Sequence, residues 1–142
     1  MLYSYFLIML HIYTDGAYSS KTNKGGWSFI VVFKNKIIYK KFMSVKETTN
    51  NRMELTAVIY SLYFLKLLNY PKCIIYSDSM YVIGTLTQNW KINHNNDLWY
   101  KLYNINFNNI MFKHVKGHST NIYNNICDNL AASCTKIYIN NG

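Results

Sequence analysis

The sequence predicts an α/β fold, a mixed five-stranded sheet with helices on its faces, and three patterns predict it. Two runs of apolar, β-branched and aromatic residues flank the polar Lys34-Asn35-Lys36, the signature of an antiparallel hairpin. A long segment from Thr49 to Leu68 repeats apolar residues at helical spacing. Beyond it, short apolar runs alternate with helical segments, as strands joined by crossover helices do.

The first strand is Leu10-His11-Ile12-Tyr13-Thr14, ending at Asp15-Gly16, where the chain is expected to turn. A polar loop over 19–24 leads to Gly25-Gly26 and a second strand over 27–33. Ile37-Ile38-Tyr39 is the third, so strands one to three are antiparallel neighbours. Thr49 or Asn50 caps a helix whose stripe is Leu55, Val58, Ile59, Leu62 and Leu65. Met53, Ala57, Tyr60 and Phe64 widen that stripe around most of the circumference, predicting a largely buried helix. Asn69-Tyr70-Pro71 stops it. A short strand over 73–77 follows; Asp78-Ser79 caps a second helix through Leu86, and Asp97 a third over 98–103. The last strand covers 110–115, then come a loop over 116–123 and a terminal helix over about 124–135. No linker, repeat or low-complexity segment interrupts the order β-β-β-α-β-α-α-β-α. Residues 1–142 are therefore expected to form one domain, with 1–9 an apolar extension of the first strand.

A chain that is 50% hydrophobic can build a core, which argues against disorder. Its charge is lopsided: 15 Lys+Arg against 6 Asp+Glu give a formal net charge of +9. That surplus favours a polyanion, and nucleic acid and an anionic membrane face both qualify. The apolar run from Tyr3 to Leu10 is too short to span a bilayer as a helix. No Lys or Arg precedes it and no small-residue cleavage site follows, so it does not read as a signal peptide, and no membrane association is expected. Cys73, Cys127 and Cys134 form no C-x-x-C pair, so they read as buried free thiols of a reducing compartment, the cytoplasm.

In so basic a chain the six acids carry most information: Asp15, Glu47, Glu54, Asp78, Asp97 and Asp128. Asp15 ends the first strand and Asp78 follows the fourth, and ligands of α/β sheets gather at such carboxyl ends. Glu54 lies in the first turns of the long helix, beside Ala57 and Ser61, and Asp128 opens the terminal helix. Four carboxylates brought together repel one another and become partly neutral unless a cation holds them. Hard oxygen donors select Mg²⁺ or Mn²⁺, and two such ions suit hydrolysis of a phosphodiester. Taken singly, each acid is as well explained by a turn, a helix cap or a solvated first-turn position.

Read together, Tyr13-Thr14-Asp15-Gly16, Thr49-Asn50-Asn51-Arg52-Met53-Glu54-Leu55, Ser77-Asp78-Ser79-Met80-Tyr81-Val82, Val115-Lys116-Gly117-His118 and Asp128-Asn129-Leu130-Ala131 resemble type 1 ribonuclease H. Order and spacing agree over nearly the whole chain from Leu10. The second string is the most specific of the five; an isolated Asp-Gly would carry almost nothing. The resemblance implies the ribonuclease H-like sheet order 3-2-1-4-5. It further implies that Asp15, Glu54, Asp78 and Asp128 bind two Mg²⁺ ions, with Mn²⁺ a possible substitute. On the same footing, His118 assists proton movement or product release. Asn50 and Asn51 match paired amides that contact the minor groove of an RNA/DNA hybrid, and Asn124 matches an asparagine near the active site. Amides suit that task, because a ribose 2′-hydroxyl both donates and accepts. Gly16, within the first motif, joins the expected substrate-binding set.

Lys21, Lys24, Lys34, Lys36, Lys40 and Lys41 lie in the first loop and hairpin, where contact with backbone phosphates competes with a plain solvated edge. Of these, Lys21 is expected to bind substrate. Trp90 and Trp99 are expected to pack in the core rather than stack on substrate. Several positions depart from the family pattern. The stretch 91–96 is short where many bacterial members carry a basic, tryptophan-containing protrusion; Met80, Thr120 and Asn125 replace a frequent glutamine, glycine and glutamate.

The function implied is endonucleolytic, metal-dependent hydrolysis of the RNA strand of RNA/DNA hybrids, leaving 5′-phosphate and 3′-hydroxyl ends. Two alternatives compete: a non-catalytic hybrid-binding module, disfavoured by the intact carboxylate set, and a DNA-acting nuclease of related architecture, disfavoured by Asn50-Asn51. A monomer with no obligate protein partner is expected. The start at Met1 and the lack of any polymerase segment lead to the expectation of a free-standing enzyme.

Overall fold

The computed structural model describes residues 8–117 and 120–136. Residues 1–7 of the expected N-terminal extension, and His118, lie outside the described residues. The chain forms β1 (Leu10–Ser19), β2 (Lys24–Phe33), β3 (Lys36–Lys46), α1 (Asn50–Leu67), β4 (Cys73–Ser77), α2 (Met80–Gln88), α3 (Asn96–Tyr103), β5 (Ile110–His114) and α4 (Ile122–Cys134). The sheet runs β3-β2-β1-β4-β5, as the resemblance implies. β1, β2 and β3 are antiparallel, whereas β4 pairs in parallel with both β1 and β5.

The β2–β3 hairpin turns on Lys34 and Asn35, whose φ values of 51° and 62° give the two left-handed residues of a type I′ turn. α1 starts where Thr49 Oγ1 accepts the Arg52 amide at 3.2 Å. It ends before Asn69 and Tyr70, both at positive φ, and Pro71 follows.

Each face of the sheet buries its own cluster. Ile12, Trp27, Phe29, Val31 and Ile75 pack beneath α1 and α3 with Leu55, Val58, Leu62, Trp99 and Leu102. On the opposite face Tyr13, Ile30, Val32 and Tyr76 meet Cys127 of α4, with Tyr123, Ile126 and Leu130 around them. Alternation of side chains along β1 and β2 separates the two sets, as the pleat requires. All three cysteines are buried and free, in accord with the sequence reading.

Three local expectations are corrected. β1 does not stop at Asp15-Gly16; it continues to Ser19, still paired with β2 through Tyr18↔Gly25. The glycine serves helix packing instead of a turn, as described below. α3 is preceded by Asn95 at φ 60°, not capped by Asp97, because both carboxylate oxygens of Asp97 engage Arg52. α4 begins at Ile122, with Asn121 accepting the Asn124 amide at 3.0 Å, so Asp128 sits inside the helix rather than at its opening.

Candidate active site

Parallel pairing places the first two acids. β1 and β4 pair in register at Tyr13↔Tyr76, so Asp15 and Asp78, each two residues further on, emerge side by side at the carboxyl ends of both strands. The hydroxyl of Thr14 donates to the Tyr76 carbonyl at 2.7 Å and fixes the strands just before the acids. β1 lies between an antiparallel and a parallel neighbour, the kind of topological switch at which α/β sheets open a crevice.

Glu54 arrives from α1 because residue 16 has no side chain. A Cβ there would collide with the Glu54 amide nitrogen and the Met53 carbonyl carbon, so only glycine lets α1 approach this closely. Asp128 arrives from α4, which is seated on β2 in the same way. A Cβ on Gly26 would strike the Ala131 carbonyl oxygen, and Ser28 donates to the Cys127 carbonyl at 2.6 Å. Both helices are thus docked against the sheet within a few residues of the carboxylates they deliver.

The result is an open groove of about 380 Å³ lined by Asp15, Gly16, Ala17, Tyr18, Asn50, Glu54, Asp78, Ser79 and Asp128. Asp15, Glu54 and Asp78 each offer an oxygen within 4.8 Å of the other two. Asp15 and Glu54 are only 2% and 4% exposed. Asp15 Oδ1 accepts the Gly16 amide at 2.9 Å, whereas Asp15 Oδ2 and Glu54 Oε2 are buried without a hydrogen-bond partner among the described residues. Burial foremost, then the charge of Glu54 and the nearby carboxyls of Asp128 and Asp78, raises the Asp15 pKa far above the carboxylate range. Burial and then the charge of Asp78 raise Glu54 likewise. Buried carboxylate oxygens with neither a donor nor a counter-ion are costly, and a divalent cation meets that need directly. The donor set therefore fits a hard metal ion.

The remaining expected site residues divide. Gly16 and Asn50 line the groove. Asn51 is exposed on the first turn of α1, outside the groove lining, and Lys21 is exposed in the β1–β2 turn. Asn124 is buried in the first turn of α4 with both amide atoms unpaired among the described residues. His118 lies outside the described residues, but Gly117 does not: a Cβ there would lie 3.0 Å from Asp78 Oδ2, so the loop passes against the site. Trp99 is core, as expected, and donates to the Tyr81 hydroxyl at 2.9 Å. Trp90 is not; 45% exposed, it lies over Gly84 of α2, where a Cβ would meet its ring. Tyr18 lines the groove although an isolated Tyr carries no spacing signal, and Ser79, read from the sequence only as a helix cap, lines it too.

The ribonuclease H family model matches residues 9–136. A ribonuclease H from Caldicellulosiruptor saccharolyticus is 42% identical over 142 aligned residues, covering 88% of this chain and 94% of the relative. A ribonuclease H from Caldanaerobacter subterraneus subsp. tengcongensis is 40% identical over 148, covering 92% and 94%. The crystal structure of LC11-RNase H1 in complex with an RNA/DNA hybrid shares the fold, with a TM-score of 0.78 at 20% identity, over 89% of this chain and 96% of its own. The chain belongs to the ribonuclease H family of enzymes. No helix among the described residues is long and apolar enough to cross a membrane.

Proposed function

We propose that this enzyme cuts the RNA strand of RNA/DNA hybrids endonucleolytically and hydrolytically, leaving 5′-phosphate and 3′-hydroxyl ends. The observation that carries the reading is the meeting of Asp15, Glu54 and Asp78 within 4.8 Å, with two of their buried oxygens unpaired among the described residues. With Asp128 on the groove wall, these residues would hold two Mg²⁺ ions, or Mn²⁺ in their place. Such ions, when bound, supply an activated water and neutralise charge on the leaving oxygen.

The protein's own groups do the rest. The Gly16 amide fixes Asp15 Oδ1, which would leave the other oxygen of that carboxylate available to a cation. Asn50, at the groove wall, and Asn51 beside it present amides to 2′-hydroxyls in the minor groove. Asn124 orients substrate near the reacting phosphate, and Lys21 holds a backbone phosphate. His118 moves the proton or eases product release. LC11-RNase H1 was crystallised with an RNA/DNA hybrid, which supports that substrate for a chain of the same fold. A single domain acting as a monomer in the cytoplasm completes the proposal.

Cleavage of an RNA/DNA hybrid, a DNA duplex and an RNA duplex, each with and without Mg²⁺, tests the reading; only the hybrid with Mg²⁺ is expected to be cut. Asp15→Asn is expected to abolish cleavage while leaving hybrid binding within about threefold, since it removes a metal ligand but no phosphate contact. Cleavage of double-stranded DNA, or an active Asp15→Asn enzyme, refutes it.

A further inference from the structure

We propose that Tyr18 is a further substrate-binding residue, whose ring packs against the ribose next to the phosphate presented to the carboxylates. The inference rests on the proposed hybrid substrate and adds a contact to it. Among the described residues Tyr18 is the sole aromatic lining the carboxylate groove, where its neighbours are acids, small residues, Asn50 and Ser79. It belongs to neither buried cluster and its side chain remains 38% exposed, so core packing does not account for it.

Its orientation is fixed. The hydroxyl donates to Asn23 Oδ1 at 2.8 Å, and Asn23 is itself held in the β1–β2 turn at φ 51°. Across the strand pair Tyr18 faces Gly25, which presents no side chain. Directly paired residues share a face of the sheet, and on that face a Cβ at Gly25 would meet the methyl of Thr48 and Met53 Cγ. The Tyr18 side chain therefore lies on the side of the sheet where α1 begins, and Asn50 of that first turn lines the same groove. A flat ring anchored at its far end loses little freedom on binding, and it offers apolar area in a groove otherwise made of polar groups. A nucleic acid held with its phosphate at Asp15 and its 2′-hydroxyl at Asn50 brings a sugar to this wall. The apolar face of that sugar is what a tyrosine ring complements.

The test measures hybrid binding by fluorescence anisotropy in the Asp15→Asn background with Mg²⁺, so that cleavage does not intervene. Tyr18→Ser is expected to raise Kd about five- to tenfold, in line with loss of one aromatic contact to a nucleotide. Tyr18→Phe, which keeps the ring and loses only the Asn23 bond, is expected to stay within about threefold. Tyr18→Leu keeps apolar bulk without a flat face and is expected to behave like Tyr18→Ser; it serves as the reading if the serine variant fails to fold. Wild-type affinity in a folded Tyr18→Ser or Tyr18→Leu protein overturns the proposal. Absence of hybrid cleavage by the wild-type enzyme would instead refute the catalytic reading, and these binding measurements would still decide the role of Tyr18.

Discussion

Asp15 and Glu54 are buried together, each with a carboxylate oxygen that has no hydrogen-bond partner among the described residues, and this sets how the protein should respond to pH. Their raised pKa values mean that, without divalent metal, the folded chain binds more protons than the unfolded chain between the ordinary and the raised values. The associated stability is fully present below about pH 4 and is lost as pH rises through the raised values. Metal-free protein is therefore expected to melt at a lower temperature at about pH 8 than at about pH 5, and added Mg²⁺ to restore the difference mainly at the higher pH. Asn in place of Asp15 removes one of the repelling charges. Its metal-free melting temperature near pH 8 should exceed wild type by on the order of 5 °C, with the Mg²⁺ response weakened. Calorimetry in chelator and in Mg²⁺ reads both effects. A metal-free melting temperature that is level from pH 5 to pH 8 would mean that the two carboxyls titrate normally and do not need a cation.

At the scale of elements, much was legible because local chemistry and tertiary packing agree. β4 covers the residues read as its strand, and α1 is capped by Thr49, one of the two caps the sequence offers with Asn50, since an apolar run or a capping side chain is a local signal. β1 was cut short because Asp-Gly also signals a turn, and only the neighbouring helix shows why glycine is present. α3 and α4 were misplaced at their first turns for a related reason. Several nearby polar side chains can cap a helix, and the choice is made by long-range partners such as Arg52, which holds Asp97 through two contacts of 2.9 and 2.7 Å. The packing role of Gly16 yields its own prediction. Gly16→Ala should cost about 3 kcal/mol in stability, because the new methyl collides with backbone that has no rotamer to yield. It should also displace Glu54, so activity at saturating Mg²⁺ falls more than the folded fraction does. Urea unfolding together with an activity assay checks this; near-wild-type stability would show that α1 does not need the glycine to approach the sheet.

Across the whole molecule, four of the six acids face one groove while 15 basic residues leave a net charge of +9. Such a distribution draws a polyanion in and then offers it a metal-ready centre rather than a cationic one. The sequence showed the charge but not its placement, because the direction in which a lysine points depends on the turn that carries it. Only residues 89–95 join α2 to α3, with Lys91 the one Lys or Arg among them, so a protruding basic handle is absent and phosphate contacts must come from elsewhere. Lys21 is exposed in the turn directly after the strand that carries Asp15 and Tyr18, which makes it a strong candidate for such a contact. Hybrid affinity should fall steeply with salt, each neutralised phosphate contributing a slope of roughly 0.9 in log Kd against log salt. Lys21→Ala should lower that slope by about one contact's worth while leaving kcat unchanged, whereas Lys36→Ala, at the distant end of the hairpin, should leave it alone. A slope equal to wild type in Lys21→Ala would mean that the surplus charge acts only as a long-range field. In that case equal loss of net charge at Lys21 and Lys36 would slow association equally, and salt titration of the two association rates would separate a docked lysine from a diffuse one.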